Sequence, residues 1–210
     1  MRESYPTPEE FGARLLREPL GRVFDDYVLQ GTPYVFRDCP ERAQELKRHL
    51  AAELGTAPGN IFIVGSAKVG FSLSPDAFPR LFSDTSDIDV LVHDRRMFDR
   101  IWMSLVRLHY RGRSEGVYRP DRGWAAERRK NVYLGWFEPD RMNFRGLSLP
   151  KSMIPFRDVA TLWFDAFQSL SVYPEFASRR VSGRLFRTLK HGRLYYVDGL
   201  HKIRMSLSRT

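Results

Sequence analysis

Two aspartates separated by a single residue, Asp87 and Asp89, are the feature of this sequence best suited to chemistry. They open the run Asp87-Ile88-Asp89-Val90-Leu91-Val92, whose apolar residues predict a buried strand from Ile88 to Val92. Side chains alternate along a strand, so residues 87 and 89 point to the same side. Two unpaired carboxylates on one face repel each other, and a divalent cation relieves that repulsion while gaining hard oxygen ligands. Magnesium commonly takes one or two protein carboxylates together with substrate phosphates. Upstream, Asn60-Ile61-Phe62-Ile63-Val64 reads as a short strand running into Gly65-Ser66-Ala67-Lys68. Gly65 removes the side chain where a phosphate would approach the backbone. Ser66 adds a hydroxyl and an N–H at the loop or helix start that follows, a setting that favours anions, and Lys68 adds positive charge. One half of this arrangement suits a triphosphate and the other suits the metal that bridges it.

A strand, Gly-Ser, a variable segment and then Asp-x-Asp on the next strand is a combination that resembles the polymerase-β-like nucleotidyltransferase superfamily, in particular its minimal bacterial members. The resemblance rests on Gly65-Ser66 and Asp87-Ile88-Asp89. It covers residues 60–92 by motif and extends to about 140 by the order of elements. It implies an α/β (α+β) nucleotidyltransferase fold with a short mixed sheet, flanking helices and a C-terminal helical part. It also implies transfer of a nucleoside monophosphate from ATP or another NTP, with Mg2+ or Mn2+ as cofactor and Asp87 and Asp89 as metal ligands. The sequence departs from the family pattern in two places. Residues 71–86 form a longer connection than compact members use. The family's third carboxylate is missing from the expected strand Val132–Phe137, which leaves Asp140 as the candidate catalytic acid and Glu138 as a weaker one. Members often bring a C-terminal Lys or Arg onto the triphosphate, and Arg187 and Lys190 are the candidates here.

The elements that must hold these residues follow from local signals. Thr7-Pro8-Glu9-Glu10 is a helix start, and a second short helix should end near Gln30, before Gly31. Asp38 is a candidate cap for a helix from Pro40 to Leu54, with Gly55 as its stop. Apolar residues at 97, 98, 101, 102, 105 and 106 predict a helix over 95–110. Asn131 to Phe137 reads as a third strand, and residues 156–170 read as a helix. The stretch 178–207 reads as helical with a break at Gly192, so that Arg180, Arg184, Arg187 and Lys190 form a cationic stripe. Gly146 and Pro150 interrupt the pattern and place a boundary between a core (1–150) and a C-terminal part (151–210).

Composition narrows the function classes. At 42% hydrophobic and 13% aromatic residues, the 210-residue chain can bury a core. No stretch approaches the roughly 20 apolar residues that cross a bilayer, and no apolar leader follows Met1. A membrane partner is therefore not expected, and a cytoplasmic location is. Cys39 is the single cysteine, which excludes an internal disulfide. Residues 1–94 carry 10 Lys/Arg against 15 Asp/Glu, and residues 95–210 carry 24 against 10. That asymmetry points to RNA (tRNA included), nucleotide phosphates or an acidic protein as partner, or to a solvated basic surface. Arg111, Arg113, Arg119, Arg122, Arg128, Arg129 and Lys130 around Tyr118 and Trp124 would suit an RNA acceptor. Small transferases of this type are associated with toxin and phage-defence settings. Two other readings stay open: a catalytically silent nucleotide- or RNA-binding module of the same fold, and an unrelated basic nucleic-acid-binding protein.

Overall fold

The structure is a computed structural model that describes residues 5–111, 130–139, 151–173, 176 and 179–209. Helix α1 (Pro8–Arg17) starts where expected. The Thr7 hydroxyl accepts from the Glu10 N–H while the Glu10 carboxylate accepts from the Thr7 N–H, so two orphan donors are satisfied reciprocally. Helix α2 (Leu20–Phe24) continues as a π-helical turn, Asp25–Leu29. Helix α3 (Pro40–Leu54) has Cys39 rather than Asp38 at its N-cap, with no side-chain capping bond. Strand β1 (Ile61–Val64) leads through Gly65 into the single-turn helix α4 (Ser66–Val69). Strand β2 (Ile88–His93) is followed by Asp94, whose carboxylate accepts from the Met97 N–H at 2.9 Å and caps helix α5 (Arg95–Arg111).

Two regions differ from the sequence reading. Only Trp136–Phe137 of the expected strand 131–137 enters the sheet, as β3. Residues 130–133 form a helical turn, and Gly135, at φ 78°, reverses the chain before β3. After α6 (Ile154–Ser169) comes the larger correction: residues 181–186 are not helical but form strand β4 (Val181–Phe186). The charges at 180, 184 and 187 fit a helical period, yet Val181, Gly183 and Leu185 also alternate with Ser182 and Arg184, and tertiary pairing selects the strand. Helix α7 (Leu189–Leu207) then runs unbroken through Gly192. A side chain at 192 would meet Leu91, since a Cβ there would lie 2.7 Å from Leu91 Cδ1.

The result is a mixed α+β fold around a four-stranded mixed sheet of order β1-β2-β4-β3. β1 and β2 are antiparallel, β2 and β4 parallel, and β4 and β3 antiparallel. β4 lies between β2 and β3, so residues 181–186 are built into the same sheet as residues 61–64 and 88–93. The expected boundary at Gly146 and Pro150 lies outside the described residues. Strand alternation gives each face its own core. Ile61, Ile63, Val90, Val92 and Leu185 pack with residues of α3, α5 and α6, including Leu50, Ile101 and Trp163. On the other face Val64, Leu91 and Phe186 pack with Phe11, Phe24 and Leu200 of α1, α2 and α7. No described helix is long and apolar enough to cross a membrane.

Gly183 marks the tightest sheet–helix approach beneath the central strands. An alanine Cβ there would lie 2.6 Å from Phe167 Cζ and 3.0 Å from Trp163 Cζ2. Gly183→Ala should therefore cost about 1–3 kcal/mol through overpacking. Gly59→Ala, whose Cβ meets nothing within 4 Å, should be nearly neutral. Urea unfolding of both variants checks the pair, and equal midpoints would disprove this account of the contact.

Candidate functional site

β1 and β2 pair with Val64 opposite Asp89, so the chain leaving β1 turns directly beside that carboxylate. Gly65 makes the turn at φ 65°, ψ −148°, a conformation close to glycine-only. Its backbone is so near Asp89 that a Cβ would sit 3.1 Å from Oδ2. The glycine is needed twice here, for the backbone angle and for the approach. Gly65, Ser66, Asp87 and Asp89 line one cavity of about 610 Å³. The 71–86 connection supplies one wall through Ser72, Ser74 and Arg80, and α7 supplies another through Tyr195, Asp198 and Lys202. That connection is tied down at both ends. Phe71 bridges Leu81, and Arg179 donates to the carbonyls of Ser83 and Ser86 at 2.6 and 3.2 Å and pairs with Asp84.

The two acids differ in setting. Asp87 is exposed, whereas Asp89 is half-buried and its Oδ1 accepts from the Ser182 hydroxyl at 3.1 Å. Burial pushes the Asp89 carboxyl above its ordinary range. The Ser182 hydrogen bond and the positive charge of Arg184 oppose that push, Asp87 reinforces it, and Arg180 opposes it. The fold thus holds a carboxylate whose charge is under-compensated by the protein alone.

β4 brings a side chain the sequence reading had assigned to a helix. The parallel register sets Ser182 beside Asp89 and Arg184 beside Leu91, on one face. Arg184 Nε donates to Glu138 Oε1 at 2.9 Å, and the guanidinium lies over the Tyr195 ring at 5.2 Å. Burial works against the charge on Arg184, but Tyr195, Tyr196, Glu138 and Asp89 outweigh it, so the group is held firmly protonated. The Tyr196 phenol is driven well above its usual value, first by burial. Asp87, Asp89, Glu138, Ser182 and Arg184 also line a smaller neighbouring cavity of about 180 Å³.

The remaining sequence candidates separate clearly. Lys68 does not face the cavity: it is buried, and its Nζ donates to the carbonyls of Gln30 and Gly31. The tight turn at Gly65 aims the first turn of α4 so that residue 68 points into the N-terminal helices. Arg187 is committed to Asp99 at 2.8 Å and lies over Trp102, at a different, largely apolar cavity. Lys190 is exposed on the first turn of α7 and lines none of the walls above. The cations that line the large cavity are Arg80, Arg184 and Lys202, and Arg180 joins Arg184 at the smaller one; Lys202 pairs with Asp198 at 2.7 Å. Of the acid candidates on the third strand, Glu138 reaches the site from behind Arg184, and Asp140 lies outside the described residues. So do residues 112–129, which hold most of the basic and aromatic acceptor surface read from the sequence. Arg184 was missed because its element was misread, whereas Lys202 lies on a helix as expected and carries no local signal that it faces the cavity. Reading 178–207 as one helix hid the strand whose period-two pattern points Ser182 and Arg184 at Asp89.

Two carboxylates beside a backbone stripped of its side chain fit one hard cation that shares phosphate oxygens. Among the described residues no cluster of three or more His, Cys, Asp or Glu could hold a metal. The set for a second ion is therefore not met by these side chains, and a serine and an arginine stand on the neighbouring strand. No protein-family model, curated protein or solved structure matches this chain.

The raised Asp89 carboxyl has a consequence for stability. A carboxyl that titrates higher in the folded than in the unfolded chain contributes stability only while protonated, and that contribution is lost as pH rises through the folded value. Asp89→Asn in EDTA should therefore melt above the unsubstituted protein at neutral pH, with the gap narrowing as pH falls through the raised folded value and gone below about pH 4. Thermal melts across pH test this. A lower melting temperature for Asp89→Asn at neutral pH would show that its neighbours fully satisfy the charge.

Proposed function

We propose that this protein is a metal-dependent nucleotidyltransferase of the polymerase-β-like type, moving a nucleoside monophosphate from an NTP to an acceptor hydroxyl. The observation that carries the reading is the contact between the Gly65 backbone and the Asp89 carboxylate at the wall of one large polar cavity. Antiparallel pairing of β1 and β2 brings the turn beside the acids, and that juxtaposition is read as a place for phosphates and the metal that they share. In this reading Gly65 admits the phosphates to the backbone, and Ser66 donates its hydroxyl and N–H to them. Arg80 and Lys202 offset the charge of the triphosphate from the loop and helix walls. Asp87 and Asp89 would hold one Mg2+, which would supply neutralisation of phosphate charge. The acceptor oxygen bonds to the α-phosphorus, its proton leaves to solvent, and the α–β bond breaks with its electron pair departing on pyrophosphate. RNA is the favoured acceptor, on the strength of the basic C-terminal half.

A second reading is supported by Ser182 and Arg184, since the strand beside Asp89 carries a hydroxyl and a cation and no acid. It is a nucleotide-binding module of the same architecture that performs no transfer. The experiment that separates the two incubates α-phosphate-labelled NTPs with Mn2+ or Mg2+ and total RNA. Labelled RNA should appear and should fall at least ~100-fold in Asp87→Ala/Asp89→Ala, matching the several kcal/mol a metal contributes. NTP binding that needs Asp87 and Asp89 but yields no labelled product would establish the silent module. Absence of both binding and transfer would refute the site assignment.

A further inference from the structure

We infer that the second cation of this site is the guanidinium of Arg184, and that the protein binds its nucleotide with a single divalent ion. The inference rests on the nucleotide-site reading above and deepens it. The first ground is position. β4 runs parallel to β2, and the pairing Asp89↔Ser182 and Leu91↔Arg184 puts both β4 side chains on the face that carries Asp89. At the position beside Asp89 the strand offers a hydroxyl that donates to that carboxylate, so no oxygen anion is left there for another ion.

The second ground is rigidity. Arg184 is fixed from behind by Glu138, a residue only 7% exposed, and is laid over the Tyr195 ring. Its Nε is committed to Glu138, while the guanidinium still borders the large cavity and the small one at the junction formed by Asp87 and Asp89. A guanidinium held this way is a fixed planar donor, and that geometry matches two phosphate oxygens better than a mobile ammonium does. The third ground is charge. Asp87, Asp89 and Glu138 are the carboxylates that line the small cavity. Arg184 and Arg180, which lines the same cavity, offset two of them, and one divalent ion more than offsets the third. A second divalent ion would enter next to permanent positive charge with no protein carboxylate left to hold it and only the nucleotide's own phosphate oxygens as anionic ligands, a penalty that grows as the local dielectric falls.

The test counts ions and measures affinity, so that a merely structural Arg184 would be recognised. The full-length protein is titrated with Mn2+ and α,β-methylene-ATP, a non-transferable analogue, and bound Mn2+ is read by electron paramagnetic resonance. One Mn2+ per bound analogue is expected. Arg184 and the buried Glu138 form one ion pair, so the informative variant changes both, Arg184→Met with Glu138→Gln. It should fold, as judged by circular dichroism, and bind the analogue roughly 10–100-fold more weakly, the worth of charge-assisted hydrogen bonds. Arg184→Lys should recover only part of that loss. Arg184→Asp should admit a second Mn2+. Two Mn2+ per analogue in the unsubstituted protein, or an undiminished affinity in the folded double variant, would overturn the inference while leaving the nucleotide site standing. Failure of the unsubstituted protein to bind the analogue with Mn2+ would overturn both.

Discussion

A partly buried carboxylate whose compensation is left incomplete is the constraint around which this protein is arranged. Asp89 sits where three strands come together: beside the exit of β1, within β2, and opposite Ser182 of β4. The protein answers its charge with one neutral hydroxyl, one arginine that is already shared with Glu138, and the more distant charge of Arg180. Desolvating an acid in this way is unfavourable, and folds retain such groups where an incoming cation or substrate completes them. Gly65 expresses the same constraint in the backbone. A side chain there would press on the carboxylate and strain the backbone at φ 65°, so the chain passes as bare peptide.

The charge asymmetry of the sequence is answered in part inside the fold. Arg193 makes a two-point contact with Asp25 at 2.9 Å, Arg187 reaches Asp99, Arg179 reaches Asp84, and Arg204 donates to the carbonyls of Leu15 and Glu18. Three of these four arginines tie the basic half to elements of the acidic one, joining α7 to α1 and α2 and β4 to the 71–86 connection. Most of these pairs are partly exposed, and each is worth little by itself. Their effect is orientational, because they hold α7 against the N-terminal helices so that Tyr195 and Lys202 overhang the cavity.

Local signals read well from the sequence wherever the element is self-contained. The capping box at Thr7 and Glu10, the amphipathic spacing of 95–110 and the apolar runs at 61–64 and 88–92 each carry their own pattern, and each is found in place. So is the convergence of Gly65, Ser66, Asp87 and Asp89, because two adjacent antiparallel strands bring the end of one to the start of the other. Patterns that depend on a distant partner did not read correctly. Val181–Phe186 holds both a helical recurrence of arginines and a two-residue alternation, and only pairing with β2, some ninety residues earlier, decides between them. Lys68 and Arg187 misled for a related reason: residue type gives charge, whereas the direction of a side chain is set by the turn before it. Residue 68 therefore points into α2's neighbourhood, and residue 187 towards α5.

The position of β4 links the architecture to any activity of the site. A two-stranded β1–β2 ribbon already holds Gly65 and both aspartates, yet it leaves Asp89 without Ser182 and without a balancing charge. Closing the sheet requires β4 to enter between β2 and β3, a long-range pairing that carries a substantial loop-closure cost. The same insertion delivers Arg184 and, through the turn at 187–188, the start of α7 that forms the far wall. The phosphate-facing and acid-facing halves are thus local products of the chain, whereas their electrostatic balance is a product of the complete fold. A change that loosens β4 should disturb the charge state of Asp89 before it disturbs the geometry of Gly65, because the turn is held by β1 and β2 and the compensation is held by β4.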